Sequence, residues 1–522
     1  MSSSLESTKS RTSVKDQNRV EVIAIPGGTG VTLEELTGHS RELKVSMGVW
    51  ALLGLSYANM APTTAINGSI STALNSGGPI AVLWGWFAVT IISLAVAASL
   101  AEMCSAWPHA AGQAFWSFNL APDGWKTCLS YWTVWTNICG GWALMSAGAY
   151  IFASGVLGLV VAYNPSYVQE GWHLVLLYLG MLLVFFLTNL FLIKILDRMT
   201  VTFAVINVSS VVATIIALAV CTPVKSTPKF VFTGFLNETG WDSKGFVFLL
   251  GLLQSSFTII GYDASTHLCE EALEPGRLAP IAIFGGVAIV GAVGMCYIIA
   301  LLFCIGDIDS VLNTPTFVPT IQIFQNSFGL RGATAAYCFN LLILAFACIG
   351  IVCATSRAVW SMSRDGGFPL SFLFKRVNHR FQVPLNALVL QCVVPAILGL
   401  IYLGSETIFF AFFQLTTIGY LVSYFIPILL VFLRRELLPP AYWRMPNGLA
   451  KFCNVVSLLY IPFICVLFCF PNYLPVTGST MNYTSAISAV FALIGTVAWY
   501  VEVRRNYKGP ASALHVIEEV EC

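Results

Sequence analysis

Long charge-free apolar stretches, separated by short polar connections, recur along the whole chain. A helix needs about 20 mostly apolar residues to cross a bilayer's hydrocarbon core, and backbone groups inside lipid must be satisfied within the segment, which selects helices over loops. Twelve such stretches are read, near 46–74, 79–101, 127–161, 172–193, 199–221, 245–263, 278–306, 332–356, 385–405, 407–433, 452–471 and 485–502. Most consist of Leu, Ile, Val, Ala and Phe, with small residues spaced for helix contacts, such as Gly148, Gly155 and Gly158 in the third.

Two stretches break this pattern. The first is interrupted by Asn59-Met-Ala-Pro62-Thr-Thr-Ala-Ile-Asn67-Gly68-Ser69, where Pro removes a donor and small polar residues crowd what should be mid-bilayer. The sixth is interrupted by Ser255-Ser-Phe-Thr-Ile-Ile-Gly261-Tyr-Asp263-Ala-Ser-Thr266 and ends in Glu270-Glu271. A single break is more often a kink than a binding site. These two, however, open successive sets of five spans. Five is odd, so the second set starts on the opposite side of the membrane, and interrupted helices at matching places in an inverted repeat mark a solute site near the midplane. The predicted fold class is an all-α polytopic membrane protein of about 12 transmembrane helices. It comprises a 5+5 inverted repeat (repeat one about 46–221, repeat two about 245–433) plus two C-terminal helices at about 452–502.

Composition agrees: 57% of residues are hydrophobic, only 10% are charged, and mean hydropathy is +0.79, too few charges to solvate a surface in water. Of the 26 Lys and Arg, only Lys225, Lys229, Lys244 and Arg331 fall in loops opposite a cytoplasmic N-terminus. The positive-inside rule therefore puts both termini in the cytoplasm. Residues 1–44 read as a disordered cytoplasmic tail and 504–522 as a cytoplasmic C-terminal tail. The glycosylation patterns at Asn237 and Asn482 fall in loops this topology places outside. Fifteen cysteines, without paired or metal-ligand spacing, read as small packing residues, so no metal or cofactor is expected.

Three sets of residues carry a family resemblance. They are Gly77-Gly-Pro79 with Ala101-Glu102-Met-Cys-Ser105, Pro108-His-Ala-Ala-Gly112-Gln-Ala-Phe-Trp116 and Leu120-Ala-Pro122; Gly261-Tyr-Asp-Ala264 with His267-Leu-Cys-Glu270-Glu271 and Pro280; and Ser363-Arg-Asp-Gly-Gly-Phe-Pro369 with Pro384. On these residues the chain resembles the amino acid–polyamine–organocation superfamily, specifically its amino acid/choline transporter branch, found largely in fungi. The resemblance implies the leucine-transporter type of inverted repeat and transport by alternating access. It also implies a substrate carboxylate against the amides of Ala61, Pro62, Thr63 and Thr64, near Asn59, and a substrate amine against the carbonyls from Thr258 through Ile260 to Gly261, beside Tyr262. The chain departs from the usual Gly-Ser-Gly of the first break by having Ala-Pro-Thr, and Pro62 has no N–H to offer.

The chemistry of these positions is open in several places. A half-helix N-terminus suits a carboxylate, and exposed carbonyls suit an ammonium group. Asp263, an acidic group at bilayer depth, reads as an amine partner, a proton site or a cap for the helix after the break. Phe257 stands where relatives keep an aromatic gate, or is an ordinary packed Phe. Trp135 and Trp142, seven apart, share a helical face and could wall a cage for a quaternary ammonium, or simply pack. Thr355 and Ser356 match hydroxyl ligands of a coupling ion in sodium-coupled relatives, or bond their own helix. Glu102, Glu270, Glu271, Arg364 and Asp365 read as ion pairs of an inner gate, or as solvated rim charges.

The function expected is a secondary active transporter for an amino acid or other amine-bearing solute such as γ-aminobutyrate, with protons as coupling ion. A choline or quaternary ammonium carrier of the same fold is the alternative, and a nutrient sensor or channel the alternative of another class. The plasma membrane is preferred over the vacuolar membrane. No HExxH, GxSxG or phosphate-loop pattern supports an enzyme, and nothing calls for nucleic acid.

Overall fold

The computed structural model describes residues 48–510 apart from 192, 379, 382, 404–407 and 479–480, with the side chains of 193–201, 204, 268, 270, 271 and 408–410 also outside the description. The expected N-terminal tail and most of the C-terminal one lie outside the described residues. The main helices are α1 Val49–Met60, α2 Pro62–Asn75, α3 Pro79–Ala106, α4 Gln113–Leu120, α5 Lys126–Tyr163, α6 Gly171–Phe191 and α7 Ile193–Cys221. After the short α8 Pro228–Thr233 come α9 Lys244–Thr258, a 3-10 helix Tyr262–Glu271, α10 Pro275–Phe303, α11 Ile308–Leu312 and α12 Pro319–Arg364. The chain continues through α13 Ser371–Phe374, α14 Leu385–Leu400, α15 Ile408–Leu433, α16 Asn447–Leu467 and α17 Thr484–Ala498.

Among the described residues, ten helices are long and apolar enough to cross a membrane on their own. The first span, divided between α1 and α2, and the fifth, α7, complete the twelve that hydropathy predicts. Large apolar side chains such as Leu183, Leu187, Val212, Ile216, Leu459 and Leu493 point outward, as lipid-facing residues must. The chain is thus a multi-pass integral membrane protein.

Helix packing has the exchange symmetry of two five-span repeats. Spans two and seven (α3, α10), three and eight (α5, α12), and four and nine (α6, α14) pair with their own counterparts. The remaining contacts come in equivalent sets: α1 on α10 matches α9 on α3, α1 on α7 matches α9 on α15, and α5 on α15 matches α12 on α7. Glycines permit these approaches. A Cβ on Gly148 or Gly155 would collide with Cys348 or Tyr337 of α12, at 2.6 Å in each case. Gly158 is closed off at 2.9 Å by Ile321.

Both expected breaks exist but are smaller than the polar stretches suggest. The first is one residue, Ala61, held left-handed at φ 36° and ψ 61°. The polar run Pro62–Ser69 is helical because Pro at the first helical position loses no intrahelical bond. The second is Ile259–Gly261, with Gly261 left-handed at φ 77° and ψ 19°, followed by the 3-10 helix. The eighth span begins earlier than its apolar run, since α12 includes a bend at Gly329, with φ 70° and ψ 176°.

Candidate functional site

The 3-10 helix after the second break carries Asp263 into the centre of the bundle, where the residue is only 2% exposed. A buried carboxylate is tolerable only if its lone pairs are met. Here three elements meet them. Tyr424 of α15 donates its hydroxyl to Oδ1 at 2.7 Å. Gln113 of α4 and Asn137 of α5 donate their amides to Oδ2 at 2.7 and 3.0 Å. Asn137 is steadied by a second bond, to Ser423 Oγ at 3.3 Å, and the Tyr424 ring leans on Tyr262 with centroids 5.1 Å apart. His267 Nε2 stands 3.6 Å from Asp263 Oδ2, while its Nδ1 lies 2.9 Å from the Ala110 carbonyl. The carboxylate's oxygens therefore bind neighbouring elements and do not cap their own helix, whose cap residue is Gly261.

Beside this cluster lies a cavity of about 40 Å³, lined by Asn59, Asn137, Gly261, Asp263, His267, Thr355 and Tyr420 with Leu144, Ile351 and three alanines. That volume accommodates a few waters. Both breaks contribute, the first through Asn59 just before Ala61 and the second through Gly261.

The amides of the first break are largely engaged. Ala61 N–H donates to Tyr57 O, Thr64 N–H and the Thr64 hydroxyl donate to Ala61 O, and Pro62 has no N–H. At most Thr63's amide remains for a carboxylate. Thr63's hydroxyl is buried without a partner and faces a second, smaller cavity with Asn67 and Asn340. On the other break, the Thr258 hydroxyl is turned back to Gln254 O at 2.8 Å, and Ile260 is buried in the core. Phe257 is buried edge-on against Phe413 with centroids 4.4 Å apart and does not line the main cavity.

Trp135 and Trp142 do share a face, their rings 6.2 Å apart, but that face points at α17. Trp135 donates to Phe491 O and Trp142 packs on the Phe491 ring, so neither reaches the cavity. Thr355 lines the cavity, packed where Gly141 leaves room, whereas the Ser356 hydroxyl is turned to Cys353 O of its own helix. Among the expected gate charges, Glu102 is paired with Arg435, from the turn after α15, and accepts Met445 N–H at 3.1 Å. Arg364 and Asp365 approach to 3.8 Å, and the Glu270 and Glu271 side chains lie outside the description. Asn237 is exposed, while both amide hydrogens of Asn482 are directed at the Phe468 and Phe470 carbonyls.

Five residues of the cluster carry no role in the sequence reading: Gln113, Asn137, His267, Tyr420 and Tyr424. Gln113 and His267 stand inside the resembling motifs, so a signal was present. The two tyrosines of α15 carried none, being two aromatics in an apolar run.

Known proteins resolve what such a bundle belongs to. The sequence profile of the amino acid permease family matches residues 47–494, nearly all of the helical region. The chain belongs to that family. The permease is 33% identical to the choline transporter of Saccharomyces cerevisiae over 92% of its own length and 84% of that protein's. It is 31% identical to amino-acid permease BAT1 of Arabidopsis thaliana over 92% and 96%. With amino-acid permease 2 of Neurospora crassa it shares 28% identity over 91% and 88%. These relatives are permeases and transporters, and the permease is accordingly a transporter of amino acids or organocations, not an enzyme.

Proposed function

We propose that this permease is a secondary active carrier that moves a small amine-bearing solute, an amino acid such as γ-aminobutyrate, by alternating access with protons as coupling ion. The observation that carries the reading is the convergence of two interrupted helices, at Ala61 and at Ile259–Gly261, beside one cavity that holds a buried carboxylate. Interrupted helices expose backbone dipoles to a solute without requiring many formal charges. Asn59 and Gly261 bring the two breaks to the solute, Asp263 supplies negative potential for its amine, and Thr63 is the remaining amide for a carboxylate.

A choline-like cation is the second reading. It is favoured by the spent amides of the first break, which leave a carboxylate poorly served, and by the Tyr420 ring on the cavity wall, which can meet a cation face-on. Cytoplasmic termini, supported by the distribution of Lys and Arg, and residence in the plasma membrane complete the proposal.

An uptake panel in permease-deficient cells, comparing γ-aminobutyrate, neutral and basic amino acids, choline and polyamines, tests it. Saturable uptake with counterflow is expected. Non-saturable flux would point to a channel, and ligand binding without flux to a sensor. Uptake that follows sodium and ignores pH would overturn proton coupling.

A further inference from the structure

We infer that His267 is the residue that takes up and releases the coupled proton, and that the 3-10 helix Tyr262–Glu271 is the element whose winding responds. This rests on the transport reading above, and goes beyond it by naming the proton's atom and the part that moves.

The hydrogen-bond geometry fixes the proton's place. A carbonyl oxygen only accepts, so His267 Nδ1, 2.9 Å from Ala110 O, must carry a hydrogen. The variable nitrogen is Nε2, which faces Asp263 Oδ2 at 3.6 Å. With a proton on Nε2 the contact is imidazolium against carboxylate. Without it, a bare lone pair faces an anion. One proton, gained from or lost to cavity water at Nε2, therefore reverses the sign of the contact. Asp263 is the poorer acceptor for that proton, because Tyr424, Gln113 and Asn137 already donate to its oxygens. Access distinguishes them as well: the His267 side chain is 27% exposed and lines the cavity, against 3% for Asp263.

The other groups around the ring stand apart from this contact: His109, next to Ala110, stacks on Phe115 and accepts Ala111 N–H at Nδ1, 2.9 Å, and is not part of the cavity lining. Across the cavity α15 presents the Tyr420 phenol, α1 presents Asn59 and α12 presents Thr355. Tyr424 is committed to Asp263. The α12 cation nearest in sequence to the cavity wall is Arg357, two residues past Thr355. Behind the 3-10 helix, Cys269 meets Cys104 of α3, Sγ to Sγ 4.0 Å.

The helix itself supplies the mechanical link. Ten residues is long for 3-10 winding, which rarely exceeds three or four and marks hinges or strain. In an α-helix residues i and i+4 sit on one face, whereas at three residues per turn they are rotated apart by about a third of a turn. Asp263 and His267 are such a pair, and at 3.6 Å they fall short of a good hydrogen bond. Closing that gap when Nε2 is protonated favours α winding. At about 2.0 Å rise per residue against 1.5 Å, rewinding ten residues shortens the segment by about 5 Å. A pull of that size on the chain leading into α10 is enough to change access to the cavity.

Two measurements test this. In proteoliposomes supplied with radiolabelled choline or γ-aminobutyrate, wild-type uptake at pH 5.5 is expected to exceed that at pH 7.5 several-fold, as one histidine gains or loses its proton. In His267→Gln the ratio should fall to about one; an undiminished ratio in a transporting variant overturns the assignment. The second measurement needs no substrate and no variant. Hydrogen exchange of the 262–271 amides in the wild-type protein, corrected for intrinsic rates, should change several-fold between the same pH values, and unchanged protection there overturns the winding response. Failure of the wild type to transport either solute, with pH-dependent protection intact, would count against the transport reading alone.

Discussion

Asp263 has two oxygens and about four lone-pair directions, and the protein fills three of them with neutral donors from α4, α5 and α15. Replacing it with Asn keeps the volume but turns one acceptor into a donor aimed at other donors, at about 1–3 kcal/mol for each hydrogen bond left unmade. Asp263→Asn is expected to cut initial uptake at least tenfold at matched surface expression, by roughly the 1.4 kcal/mol that a factor of ten represents. Normal uptake with an unchanged pH profile would remove Asp263 from both the amine role and the pairing with His267. Ala61 gives the opposite kind of prediction. It is a left-handed non-glycine residue, a conformation that costs about 1–2 kcal/mol and that glycine adopts freely. Ala61→Gly should relieve part of that strain and raise the thermal midpoint in detergent, offset by the greater flexibility of Gly when unfolded; a clear fall would show that the Ala61 methyl, which packs on Ile343 and Ala347, matters more.

Among elements, α5 and α15 approach each other closely and together bring Asn137 and Tyr424 to Asp263. Gly419 lies against Gly140: a Cβ on Gly419 would come within 2.7 Å of the Gly140 Cα and 3.0 Å of the Thr136 carbonyl. Backbone cannot swing aside as a side chain can, so even a methyl must force the helices apart. Gly419→Ala is expected to cost about 1–3 kcal/mol, the usual range for overpacking, and to lower the thermal midpoint. Because the separation also lengthens the bonds to Asp263, uptake should fall further than stability alone explains. The control is Gly180→Ala, where a Cβ meets nothing within 4 Å; it should leave both readouts unchanged. A Gly419→Ala protein as stable as wild type would mean that this contact is slack.

For the molecule as a whole, the two loops that carry glycosylation patterns touch. Leu474 N–H donates to Thr239 O at 2.8 Å, and Trp241 Nε1 donates to Pro471 O at 3.2 Å, so the two loops lie on one face. If that face is external, Asn237, which is exposed and gives one amide hydrogen to Trp241 O, is the more accessible acceptor, while Asn482 is half-buried with its amide on two carbonyls. A glycosidase treatment of protein from eukaryotic cells should shift its mobility, and Asn237→Gln should abolish the shift. A shift that persists in Asn237→Gln and vanishes in Asn482→Gln would reverse the assignment between the two.

The sequence by itself determined the twelve spans and the places where two of them break, because lipid imposes a local requirement: a sufficient apolar run, and a partner within the segment for each peptide group. It also flagged Asp263, since an acid among apolar residues is conspicuous without any knowledge of its neighbours. Only the tertiary structure decided which residues satisfy that acid. Gln113, Asn137 and Tyr424 come from positions as much as 161 residues away, and a span that is apolar all round does not reveal which face meets its neighbours. For the same reason the shared face of Trp135 and Trp142 was legible, but its direction, toward α17 and away from the cavity, was not. Periodicity records which side chains lie together along one helix; the helices packed around it decide what they face.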